Sequence, residues 1–170
     1  MFRIIGQYSI DRDEDIIRVW SSPEFNLEAA RQYAIDMIAI IREMPPRFGV
    51  MVCFDAPPVV APEVEEAMRN SARERAACGM VAAAFVTASA DAIEVARAQW
   101  TRIYEGSGVA WRFFGDTNAA RGWLQAKVDW DATIAYRQRL WSLGLGVAEA
   151  MDTAQRGMGL DWPTSLELIR

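Results

Sequence analysis

The chain has 170 residues, 52% of them hydrophobic, with seven Trp and a formal charge of -5 from 23 acids and 18 bases. This length suits one domain, and this apolar content fills a core without a disulfide framework. Acids and bases are mixed throughout, so no basic stripe can follow a phosphate backbone and nucleic acid is excluded as a partner; the absence of His removes the commonest general base, the Ser/His and Cys/His pairs and most catalytic zinc sites.

Cys53 and Cys78 have neither zinc nor redox spacing and read as reduced thiols. Met1 to Tyr8 lacks the apolar centre of a signal peptide, and no apolar run approaches the roughly 18 residues of a membrane span. The expectation is a cytoplasmic protein without a membrane span.

In chain order, residues 2 to 10 and 16 to 21 are β-rich and flank Asp11-Arg12-Asp13-Glu14-Asp15, which predicts a hairpin with an acidic five-residue loop. Its spacing does not fit a calcium loop, because Ile16 and Ser22 stand where Gly and Glu are needed, so the acids read as a solvated turn. Asn26 caps a helix whose apolar positions Leu27, Ala30, Ala34, Met37, Ile38 and Ile41 recur until Pro45-Pro46 stops it. Phe48 to Phe54, followed by Asp55 and Ala56-Pro57-Pro58, is apolar in both alternating sets and predicts a central strand covered on both faces.

Pro62 suits a first helical position, with Glu63, Glu65 and Glu66 in the first turns and a packing stripe of Val64, Ala67, Met68, Ser71 and Ala72. Arg69, Arg73 and Arg75 read as its solvated face, with Glu65 and Arg69 at i,i+4 spacing. Gly79 ends it. Met80 to Ala88 predicts a second buried strand, and Ser89 caps a helix with Ile93, Ala96, Trp100 and Ile103 inward, ending at Glu105-Gly106. Val109 to Phe114 is the third buried-type strand; Gly115 turns the chain, Asp116 caps the next helix, and Ala119, Ala120, Trp123 and Leu124 face inward. The sum is an α/β fold, a single mixed, mostly parallel five-stranded sheet flanked by helices, closing near Lys127.

The element order, the apolar strand ending in Asp55, and Phe113-Phe114-Gly115-Asp116 followed by Ala119-Ala120 and Trp123-Leu124 resemble the SpoIIAA-like branch of the STAS superfamily over residues 2 to 127. The resemblance implies a regulatory domain that binds a partner protein, with apolar ligands in some relatives. It does not extend to the phosphoswitch: the Ser or Thr expected after the acid is missing from Ala56 to Pro62.

Residues 128 to 170 carry Trp130, Trp141 and Trp162 with Leu140, Leu143, Leu145, Val147, Met151, Met158 and Leu160, too apolar for a solvated tail. Helices are expected over about 131 to 143 and 147 to 156, as an extension packed on its own domain or on a second subunit, with Trp130, Leu140 and Trp141 as candidate oligomer contacts.

Candidate site residues gather at the carboxyl ends of the parallel strands: Asp55, Pro57, Pro58, Thr87, Ser89 and Asp116. Asp55 either meets a ligand or partner or bonds local backbone, and Ser89 and Asp116 double as helix caps. Trp100, Tyr104 and Trp111 either pack the core or wall an apolar pocket. No glycine-rich phosphate loop, metal cluster or cofactor motif is present, so no cofactor and no catalytic residue is expected. The expected function is a non-enzymatic regulatory or adaptor module that binds a protein partner, as a homodimer. A binder of a small apolar ligand between sheet and helices is the alternative, and an enzyme using Asp55 comes third.

Overall fold

In this computed structural model, residues 3–5 and 8–144 are described, and the chain divides into two compact units, Met1–Val128 and Asp129–Arg170. The first is built as β1 (Arg3–Ile5), β2 (Tyr8–Asp13), β3 (Ile16–Ser21), α1 (Leu27–Ile41), β4 (Phe48–Phe54), α2 (Pro62–Ala77), β5 (Met80–Val86), α3 (Ala90–Tyr104), β6 (Ala110–Phe114) and α4 (Thr117–Val128). One six-stranded sheet holds them in the order β1-β2-β3-β4-β5-β6. The first two pairings are antiparallel and the remaining three parallel. The α/β class and the mixed, mostly parallel sheet agree with the sequence; the expected strand over 2–10 is divided into β1 and β2.

The hairpin departs from expectation. Strands β2 and β3 run on through Asp13 and from Ile16, leaving only Glu14 and Asp15 as the turn, with Glu14 at φ 57°. Asp11 and Asp13 are therefore ladder residues. Arg18, opposite Asp11 in the register, bonds its carboxylate at 2.6 Å, and Arg121 from α4 bonds Asp13. Two arginines on neighbouring elements neutralise acids that would otherwise repel along one strand face.

Helices α1, α2 and α3 pack on one face of the sheet, where Val50, Phe85 and Phe113 meet Met37, Met68 and Trp100. The other face belongs to α4, whose Ala120, Trp123 and Leu124 cover Met51, Cys53, Ala82 and Ala84. Alanine on both faces of β5 lets helices approach closely from each side. Gly49 does the same for α4, since a Cβ there would stand 3.0 Å from Leu124 Cδ2. Gly79, at φ 106°, makes the turn after α2 against the Pro46 carbonyl, in a backbone region that resists other residues.

In the second unit, α5 spans Trp130–Ser142, capped by the Asp129 side chain on the Ala132 N–H at 2.9 Å. Its Tyr136 and Trp141 are exposed, at 66% and 57%, as is Leu143 at the C-cap, at 57%, and Leu140 is half-buried. The expected helix over 147–156 and Trp162 lie outside the described residues.

Candidate functional site

Because strand order follows chain order without reversal, this sheet has no point where neighbouring crossovers diverge and open a crevice at the strand ends. Cavities must form between the sheet and the helices instead. The described recess does so at the carboxyl ends of β3 and β4, beneath α1, α2 and α3.

Its floor is sheet: Val19 and Ser21 from β3, Val52 and Phe54 from β4. Its walls are one side chain from each helix, Tyr33 from α1, Met68 from α2 and Trp100 from α3, closed by Phe25 and Val60 from the connecting loops. The void is about 30 Å³, room for a methyl-sized group, so a longer chain must extend into the vestibule or displace the lining. Two aromatic clusters flank it. Tyr8, Phe25 and Tyr33 meet edge to face at 5.6–5.9 Å, and Phe54 and Phe85 meet Trp100 at 5.6 and 4.2 Å. Only the Ser21 and Tyr33 side chains bring oxygen to the lining, which therefore favours apolar groups over polar ones.

An outer vestibule continues the recess between Ser21 to Phe25 and Ala56 to Val60. The roof loop after β4 is pinned from α3. Gln99 donates from Nε2 to the Val60 carbonyl at 2.7 Å and accepts from the Val60 N–H at 2.9 Å, while Trp100 Nε1 donates to the Pro58 carbonyl at 2.6 Å. Glu65, near the start of α2, anchors the same assembly. It accepts two bonds from Arg102 at 2.8 and 2.9 Å, and one each from Arg69 and Gln99 at 3.1 Å. The hydrogen bonds from Arg102 lead in holding its carboxyl at about 2, well below the ordinary range.

Deeper in the same helical layer lies Arg75, 1% exposed. The sequence placed it with Arg69 and Arg73 on a solvated face, and this is a correction. Arg73 is exposed and Arg69 half-buried against Glu65, but Arg75 continues the inward stripe of Val64, Met68 and Ala72. Its terminal nitrogens donate to the Tyr33 hydroxyl and, at 3.4 Å, to the Tyr104 hydroxyl, while Nε has no hydrogen-bond partner. Burial raises both phenols, Tyr104 to about 12, so neither supplies a compensating negative charge at neutral pH.

The sequence-expected residues are distributed around this construction. Pro58 is buried in the vestibule wall and Pro57 exposed beside it. Asp55 is exposed; its N–H donates to the Ser21 carbonyl at 3.4 Å, and its carboxylate makes no hydrogen bond or ion pair among the described residues. Ser89 and Asp116 accept from the N–H groups of Ala92 and Ala119, as helix caps. Thr87 is buried, and its N–H donates to Phe114 O. Cys53 is a buried core thiol, raised by desolvation. Trp100 belongs to both the core and the recess wall, Tyr104 to the core, and Trp111 is half-buried. Among the described residues no group of three or more His, Cys, Asp or Glu could hold a metal, and no helix is long and apolar enough to cross a membrane. Val60, Met68, Gln99 and Phe25 were not visible as site residues from the sequence. The only signal available was the Pro-rich segment facing an inward Trp.

A family model described as a protein of unknown function, DUF993, matches residues 79–170, more than half of the chain. The chain belongs to the DUF993 family. No curated protein and no solved structure matches it. The DUF993 match corrects the STAS resemblance, since it covers Phe113 to Leu124, the segment that carried that likeness. Those residues have a local explanation: Phe113 and Phe114 end a strand, Asp116 caps a helix, and Ala120, Trp123 and Leu124 are its buried side. Any strand–turn–helix unit over an apolar sheet selects a similar pattern. The DUF993 match contains Gln99 and Trp100, which hold the roof, and begins after the roof loop itself.

Proposed function

We propose that this DUF993 protein is a non-enzymatic binder of a small apolar ligand, which it takes into the recess between β3, β4 and the three helices. The observation that carries the proposal is the lining: carbon-rich walls from three helices and two strands meet at a void that opens into a vestibule under a pinned loop. Burying apolar surface there is favourable by about 25 cal/mol per Å². Binding rather than turnover is assigned because the exposed acid at this sheet edge, Asp55, is not part of the lining. The protein-partner function loses its main argument with the STAS resemblance.

Native mass spectrometry of the mildly purified protein tests the proposal. A reproducible added mass, lost on denaturation and missing from Val60→Phe, is expected. Bare mass in the wild type, with no uptake of 1-hexanol supplied in excess, contradicts it.

A second function is supported by α5. Tyr136 and Trp141 on α5 and Leu143 at its C-cap expose apolar surface, a composition suited to a protein contact, including a homodimer. Sedimentation of Trp141→Arg against wild type over a range of concentrations tests it: a self-associating wild type and a monomeric variant are expected, and a monomeric wild type removes the dimer.

A further inference from the structure

The buried guanidinium of Arg75 lies 5.3 Å from the centroid of the Tyr33 ring and meets two phenol oxygens, neutral partners for a full charge. Among the described residues no carboxylate lies within ion-pair distance of it. An arginine remains charged at any accessible pH, and a buried charge without a counter-charge is strongly unfavourable. Hydroxyl oxygens of Tyr33 and Tyr104 satisfy part of the group, and Nε is left without an acceptor. Tyr33 also stands in the recess wall. One tyrosine thus separates an apolar recess from a buried cation that, among the described residues, makes no ion pair.

We propose that the recess ligand is an apolar monocarboxylate, its hydrocarbon part running from the vestibule into the recess and its carboxylate paired with Arg75 past a displaced Tyr33 side chain. This rests on the recess being the binding site. A carboxylate matches the planar fork of a guanidinium, and one negative charge balances one positive charge, whereas a dianion would leave an excess in the same apolar surroundings. The mouth offers no such selection. Ser22 Oγ, buried in the vestibule lining, also lacks a partner, but a hydroxyl serves neutral and charged head groups alike.

The test is a titration of the full chain at pH 8 with hexanoate and, separately, 1-hexanol, followed by ligand-observed saturation-transfer NMR. Hexanoate is expected to bind at least roughly tenfold more tightly than 1-hexanol, as a desolvated charge pair requires. Arg75→Met is expected to erase that preference while 1-hexanol still binds. Arg75→Lys, which keeps the charge without the fork, is expected to fall between them and decides the matter if the Met variant does not fold. Equal affinities in the wild type overturn the carboxylate and leave the recess standing. A preference for hexanoate that survives undiminished in the Arg75 variants overturns the role of Arg75. Failure of both compounds to bind overturns the recess as well.

Discussion

Gln99 grips both polar groups of Val60, donating to its carbonyl at 2.7 Å and accepting from its N–H at 2.9 Å, across 39 residues of chain. A primary amide is the side chain suited to this, because it presents a donor and an acceptor side by side. The roof of the recess is therefore held like a paired strand, with Trp100 adding a third bond at Pro58.

Gln99→Ala removes two of those bonds and leaves a half-buried peptide unpaired. It is expected to lower unfolding free energy by about 1–3 kcal/mol and to speed amide exchange at Val60 well beyond exchange in the β4 strand. Equal protection of Val60 in both proteins, measured by hydrogen exchange, would show that packing alone fixes the roof.

Glu65 makes the first unit acid-sensitive in a defined window. Its folded pKa, about 2, lies below the ordinary carboxylate range, so its contribution is fully present above the unfolded pKa and is lost as pH falls toward 2. Urea denaturation between pH 6 and 2 is expected to show a loss of stability across that window that is smaller in Glu65→Gln. Indistinguishable pH profiles for the two proteins would contradict the assignment.

Arg75→Met replaces a buried, incompletely bonded cation with an apolar chain of similar length. If the guanidinium is kept for a ligand, relief of its desolvation should offset most of the cost of leaving the Tyr33 and Tyr104 hydroxyls without their partner, about 1–3 kcal/mol each, so that the variant unfolds close to the wild-type temperature. A loss comparable to a large core truncation, about 3 kcal/mol or more, would make Arg75 a structural clasp.

Much of the fold was legible because parallel strands buried on both faces announce themselves as unbroken apolar runs. Phe48 to Phe54 and Met80 to Val86 need little context to be read. The hairpin is less legible: Asp11 and Asp13 look like turn residues until Arg18 and Arg121, seven and 108 positions distant, are brought beside them. The burial of Arg75 is hidden for a related reason. Charge argued for solvent, although its spacing from Ala72 and Met68 continues the buried stripe, and only its meeting with Tyr33 and Tyr104 makes burial tolerable. The site was legible as an edge of the sheet, through Pro58 and Trp100, and not as a recess, because Phe25, Tyr33, Val60 and Met68 converge only through the tertiary fold.

A bound apolar group would enter the space bounded by Phe25, Phe54, Val60 and Trp100. Methyl-resolved NMR during titration with 1-hexanol tests this most directly. Saturable shifts are expected at the Val19, Val52 and Met68 methyl groups of the wild type and none in Val60→Phe, where the added ring fills the recess. Absence of saturable shifts at those methyls, or the same shifts in both proteins, would contradict it.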